Sequence, residues 1–68
     1  MDSELVGRRI RAFRKLKGYT QKSFAKKMSI SVSVLGEIER GNRIPDDYLI
    51  ERIVTTLNIS RNDIMTES

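Results

Sequence analysis

The sequence predicts an all-α fold, a single domain of five short helices spanning residues 1–68. Two observations carry that expectation. Apolar residues return every three or four positions, at Val6, Ile10 and Phe13 and again at Leu49, Ile53 and Leu57, which is the spacing of one helix face. Between these stretches stand residues that begin and end helices. Asp2, Ser3, Thr20, Ser31 and Ser60 have short oxygen-bearing side chains suited to N-caps, and Gly18 and Gly41 suit C-terminal caps. With 68 residues there is room for one small core, so any working surface must come from the helices that build it.

Taken in order, the first helix is expected over about residues 4–17, capped by Asp2 or Ser3 and ended by Gly18. Arg14 follows Ile10 by four, lies on the edge of the buried face and needs a partner. Leu16 and Tyr19 are expected to close the core where the chain turns. Thr20 caps a second helix over about 21–28, with Phe24, Ala25 and Met28 inward. Ser29, Ile30 and Ser31 break the run, and Ser31 caps a third helix over about 32–39 that buries Leu35 and Ile38.

Gly36 costs the third helix about 1 kcal/mol relative to alanine. It either permits close packing against the second helix or lets the backbone approach a DNA groove, and packing is the expectation. A loop through Pro45 leads to a fourth helix over about 46–57, with Asp46 and Asp47 on the favourable end of its dipole. Ile50 and Val54 widen its apolar stripe of Leu49, Ile53 and Leu57. Ser60 to Asp63 resembles a capping box and opens a last short helix carrying Ile64 and Met65.

The stretch from Thr20 to Arg40, two short helices joined by a tight turn, has the pattern of a helix-turn-helix. The outward positions of its second helix, Val32, Ser33, Gly36 and Glu37, have little to do for the fold and are candidates for reading DNA. Charge points the same way. Leu5 to Gly36 holds nine basic residues and no acidic one (+9), whereas Glu37 to Ser68 holds four basic and seven acidic (−3). Such asymmetry suits a surface that meets a polyanion, although lysines and arginines also serve as ordinary solvated helix faces.

Gln21, at the first position of its helix, either donates to a phosphate or is simply tolerated there, and Lys22, Lys26 and Lys27 suit diffuse electrostatics. With no cysteine and no histidine, disulfides, thiolate sites, the usual zinc ligands and the usual general base are all missing. Neither an enzyme, a metal site nor a cofactor is expected. Apolar runs fall far short of the roughly 20 residues that cross a bilayer, and Val6, Ile10 and Phe13 are needed for the core, so no membrane partner is expected and the protein reads as cytoplasmic.

Gly7 with Ile10, Arg14, Gly18 with Thr20-Gln21, Phe24-Ala25, Leu35 and above all Ile38-Glu39-Arg40-Gly41 together resemble the Xre family, the lambda-repressor-like helix-turn-helix of phage repressors and bacterial regulators. The resemblance covers about residues 6–65, with Phe24 where the family usually has leucine. More narrowly, the chain is similar to the DNA-binding halves of SinR-type Bacillus repressors. The resemblance implies that Arg14 pairs with Glu39, which agrees with the need of a guanidinium at a buried edge for a carboxylate. It places the phosphate-contacting glutamine at Gln21, the base-reading positions at Ser31, Val32, Ser33 and Glu37, and further backbone or flanking contacts at Arg40, Asn42 and Arg43. Val32 and Ser33 replace longer polar residues common in the family, so contact with thymine methyl groups is expected to matter more than hydrogen-bonded readout. Glu37, an acid facing a polyanion, either accepts from cytosine or pairs with Arg40 in a structural role.

The expected function is a sequence-specific regulator of transcription, a repressor, bound to double-stranded DNA. The alternative is an antitoxin or protein-interaction module of the same fold. One such unit reads only about four to six base pairs, so a homodimer on an inverted-repeat operator is expected. Ile59, Ile64 and Met65, beyond what the fourth helix needs, are the candidates for the dimer contact, or else they finish the core.

Overall fold

The computed structural model describes residues 2–65. Five helices follow one another: α1 Ser3–Leu16, α2 Gln21–Met28, α3 Val32–Glu39, α4 Asp47–Leu57 and α5 Arg61–Met65. No strand occurs among the described residues. α1 lies against α3, α4 and α5, while α2 bridges α3 and α4, so all five helices share one core. Phe24, Ile10, Leu35, Ile38, Ile50, Ile53, Leu57 and Ile64 are its fully buried members.

Side chains set the helix starts. Asp2 accepts from the N–H groups of Glu4 and Leu5, Ser31 from that of Val34 at 3.0 Å, and Asp46 from that of Leu49 at 2.8 Å, each satisfying a donor that the first turn leaves orphaned. Thr20 does the same for Ser23, whose hydroxyl in return accepts from the Thr20 N–H, closing a reciprocal box. Asp46 is thus the cap of α4 rather than its first residue. At Ser60 the N–H donates to the Asp63 carboxylate at 2.8 Å, the arm of a capping box that aspartate can reach.

Ends are set by the backbone. Gly18 stands at φ +85, and the N–H groups of Gly18 and Tyr19 return to the carbonyls of Lys15 and Arg14, the pattern that closes a helix through a left-handed residue. α2 ends in the same way at Ser29, with φ 59, a conformation that a residue with a Cβ adopts only at a cost.

Two expectations about the core are corrected. Leu16 is 74% exposed. It lies six residues beyond Ile10, roughly 120° round the helix from the buried face at about 100° per residue, so only Tyr19 closes this corner, packed against Phe24 at 5.3 Å between ring centroids. Ile64 has no exposed surface at all and belongs to the core, so it is removed from the candidates for a dimer contact. Ile59 and Met65 pack on the same core but remain half-buried. In α4 the buried line is Ile50, Ile53, Val54 and Leu57, with Leu49 on its flank.

Gly7 fixes how closely α1 and α3 meet. A Cβ built there would lie 2.3 Å from the Ile38 carbonyl oxygen and 2.8 Å from that of Glu39. Only a residue without a side chain lets α1 rest on the last turn of α3, and that close approach brings Arg14 to Glu39.

Candidate nucleic-acid interface

Arg14 and Glu39 form a buried ion pair that ties α1 to α3. Nε of Arg14 donates to one Glu39 oxygen at 2.7 Å and Nη2 to the other at 3.1 Å, with the two side chains only 6% and 4% exposed. The remaining arm of the guanidinium donates to the Tyr19 carbonyl at 2.8 Å. Glu39 also accepts from the Gln21 side-chain amide at 3.3 Å. Gln21 is therefore neither an idle first-turn residue nor aimed only at solvent, because one of its two amide protons joins the N-terminus of α2 to the ion pair.

α3 turns one stripe outward. Val32, Ser33, Glu37 and Arg40 succeed each other at the spacing of a single helix face, opposite Leu35 and Ile38, whereas Gly36, expected to face outward with them, is buried. Ser31 and Ser33 are exposed, and Val32 is 42% exposed, an apolar side chain left in solvent at the start of the helix. Lys22 at the start of α2 and Asn42 and Arg43 after α3 are exposed beside it. Glu37 does not pair with Arg40. Its partner is Arg43, at a loose 3.5 Å between half-exposed side chains, an interaction worth little in water.

Gly36 does not serve packing against α2. The nearest atoms to a Cβ built there all belong to Arg40, with Nη1 at 2.9 Å. The Arg40 side chain lies back across the glycine and forms no hydrogen bond or ion pair among the described residues. Beside it is a recess of about 200 Å³ lined by Arg11, Arg14, Gln21, Gly36, Glu39 and Arg40. Arg11 was not singled out by sequence reasoning; its signal is its position three residues before Arg14, on the neighbouring flank of α1.

The helix-turn-helix family matches residues 10–64. The chain belongs to the helix-turn-helix family. It is 61% identical over 64 residues to the uncharacterized HTH-type transcriptional regulator YazB of Bacillus subtilis, covering 94% of this chain and 93% of that one. With the HTH-type transcriptional regulator SinR of Bacillus subtilis it shares 31% identity over 64 residues, 93% of this chain but only 58% of SinR. Among solved structures it is similar to the restriction-modification controller protein C.AhdI of Aeromonas hydrophila, with a TM-score of 0.86 at 30% identity, covering 94% of this chain and 97% of that one. The clp gene regulator ClgR of Corynebacterium glutamicum superposes with a TM-score of 0.89 at 29% identity over 96% of this chain and 69% of that one.

Within this helix-turn-helix chain the charge asymmetry acquires a place. The +9 half is α1, α2 and the outward start of α3, while among the described residues after Gly41 the acidic ones are Asp46, which caps α4, Asp47 and Glu51 on α4, and Asp63 on α5. There Arg61 is held by Asp47 and by Glu51 at 2.9 Å, and these two carboxylates raise its pKa. The basic side chains Arg11, Lys22 and Arg40 have no such partners among the described residues. No helix among those residues is long and apolar enough to cross a membrane.

Proposed function

We propose that this DNA-binding transcriptional regulator is a repressor that lays α3 in the major groove, two copies acting together on an inverted repeat. The observation that carries the reading is the outward stripe of α3. Its side chains Val32, Ser33 and Glu37 do no work in the core, yet the helix that holds them is anchored by a buried ion pair. A helix fixed rigidly at its C-terminus and bare at its N-terminus is suited to presenting residues to base edges. Ser31, Val32 and Ser33 then face bases, and Gln21, Lys22, Arg40, Asn42 and Arg43 face the backbone. Ile59 and Met65, still half-buried, supply the contact between copies. YazB and SinR are named as transcriptional regulators, and ClgR as a clp gene regulator.

Selection of bound sequences from random duplex DNA, with a footprint on the winner, tests this. The winner should be an inverted repeat whose half-sites are centred about one helical turn, about 34 Å, apart. With about 5 to 8 phosphates neutralised per copy, log affinity should fall with log salt at a slope near −0.9 per phosphate between about 50 and 200 mM. A selection that enriches nothing, or affinity indifferent to salt, would refute the reading.

A further inference from the structure

The face of α4 turned away from the core has no element packed on it. Tyr48, Glu51, Arg52, Thr55 and Thr56 recur at the spacing of one helix stripe, opposite Ile50, Ile53, Val54 and Leu57, and line a shallow recess of about 340 Å³. Tyr48, 70% exposed, is the one aromatic ring among the described residues left in open solvent. Arg52 lies over that ring, 5.9 Å from its centroid, and reaches back to the Lys27 carbonyl at 3.4 Å, so the tyrosine is held beside the hollow that the two threonines leave.

Size and charge along this stripe are self-complementary. Turn a second α4 antiparallel about a point midway between Glu51 and Arg52, and Tyr48 of each copy meets Thr55 of the other while Glu51 of each meets Arg52 of the other. Large stands against small, and acid against base, which is what a two-fold interface requires of one surface. Both charged groups are able to take part. Glu51 gives one oxygen to Arg61 and stays 61% exposed, and the two hydrogen bonds of Arg52, to the Tyr48 hydroxyl and the Lys27 carbonyl, are long at 3.4 Å.

We infer that α4 docks antiparallel on the α4 of a second copy through this stripe. The contact is separate from that of Ile59 and Met65, because Asn58, at φ 56, turns the chain off the helix before Ile59 is reached. One short helix face is too small to hold two copies together alone, so it joins copies that neighbouring operators have already brought close, and raises their joint occupancy. That role rests on the DNA-binding reading; the contact itself does not.

The chain has no cysteine, so disulfide trapping reports the geometry directly. Tyr48→Cys and Thr55→Cys, mixed and oxidised with diamide, should give a crosslinked dimer that neither gives alone, since like positions lie seven residues apart along the paired helices, about 10 Å or more, beyond the roughly 7 Å between Cα atoms that a disulfide spans. Arg52→Glu on both partners should abolish trapping, because acid then faces acid. Glu51→Arg on the Tyr48→Cys partner with Arg52→Glu on the Thr55→Cys partner should restore it, which a loss of folding could not do. No crosslink in the first mixture, self-crosslinking of Tyr48→Cys alone, or trapping indifferent to these charges refutes the pairing, while binding of the parent to a single inverted repeat leaves the DNA reading standing. Trapping that succeeds with a parent that binds no duplex keeps the contact and removes only its operator role.

Discussion

Removing either partner of the Arg14–Glu39 pair should come close to unfolding the protein. The side chains are 6% and 4% exposed, and the pair is bidentate at 2.7 and 3.1 Å, so each single truncation strands a charge in the interior at a cost of about 3 to 5 kcal/mol. The two losses should not be equal. Arg14→Ala leaves the Glu39 carboxylate with only the Gln21 amide, at 3.3 Å, whereas Glu39→Ala leaves Arg14 bonded to the Tyr19 carbonyl at 2.8 Å and able to turn toward the recess. Arg14→Ala should therefore be the worse. A chain of this length has a total stability of roughly 3 to 10 kcal/mol, and in so small a domain 1 kcal/mol moves the melting midpoint by about 7 °C. Urea denaturation at low temperature, followed by circular dichroism, keeps the weakest variant measurable. The double variant, having no charge to strand, should lose about 2 kcal/mol or more less than the sum of the singles. Lys26→Ala, at an exposed position, should stay within about 0.5 kcal/mol of the parent. Additive losses from the two truncations would refute the coupling on which the anchoring of α3 depends.

Two further substitutions probe the backbone. Gly7→Ala places a Cβ 2.3 Å from the Ile38 carbonyl oxygen, where backbone and not a flexible side chain must yield, so chemical denaturation should show a loss of about 3 kcal/mol or more, and an unchanged midpoint would mean that α1 and α3 are not so close. Ser29→Gly relieves the left-handed conformation at φ 59 between α2 and α3, and thermal melting should show a gain of up to about 1 kcal/mol after the entropy of the unfolded glycine is counted.

What the sequence made legible divides along physical lines. The limits of α2 and α3 could be read because Thr20 and Ser31 act through their own side chains on N–H groups a few residues away. Arg14 and Glu39 could be paired because a guanidinium on a buried face has few alternatives and the family resemblance supplied the carboxylate. Leu16 misled because an apolar residue at a chain reversal suggests burial, although its angle round α1 already argued against it. Ile64 and Met65 are neighbours with similar hydropathy, and only the packing of α5 on α1 decides that one is core and the other rim. Gly36 was read for what a small residue permits against a neighbouring helix; its actual neighbour is the arginine one turn later on its own helix. Gln21 and Arg11 were the least legible, since their meeting with Glu39 and Arg40 depends on three helices arriving at one place.

Sequence discrimination should depend on two small side chains. Val32 is 42% exposed at the start of α3, and Ser33 is exposed beside it, while the longer outward residue Glu37 is turned toward Arg43. A valine offers base edges no hydrogen bond, only its methyl groups, so the base it can distinguish is thymine, through the C5 methyl. Val32→Ala removes two methyl groups from an exposed site and leaves the core alone. It should relax preference at one operator position by about 1 kcal/mol, roughly a fivefold change in relative affinity, with little effect on non-specific binding. Ser33→Ala should act on an adjacent base pair, and neither should alter the salt slope, because neither touches a phosphate. Fluorescence anisotropy with the selected operator and a scrambled duplex at one salt concentration gives the ratio directly. Should both variants keep the parent's ratio, the base-reading residues lie elsewhere, and the outward stripe of α3 would be only its solvated side.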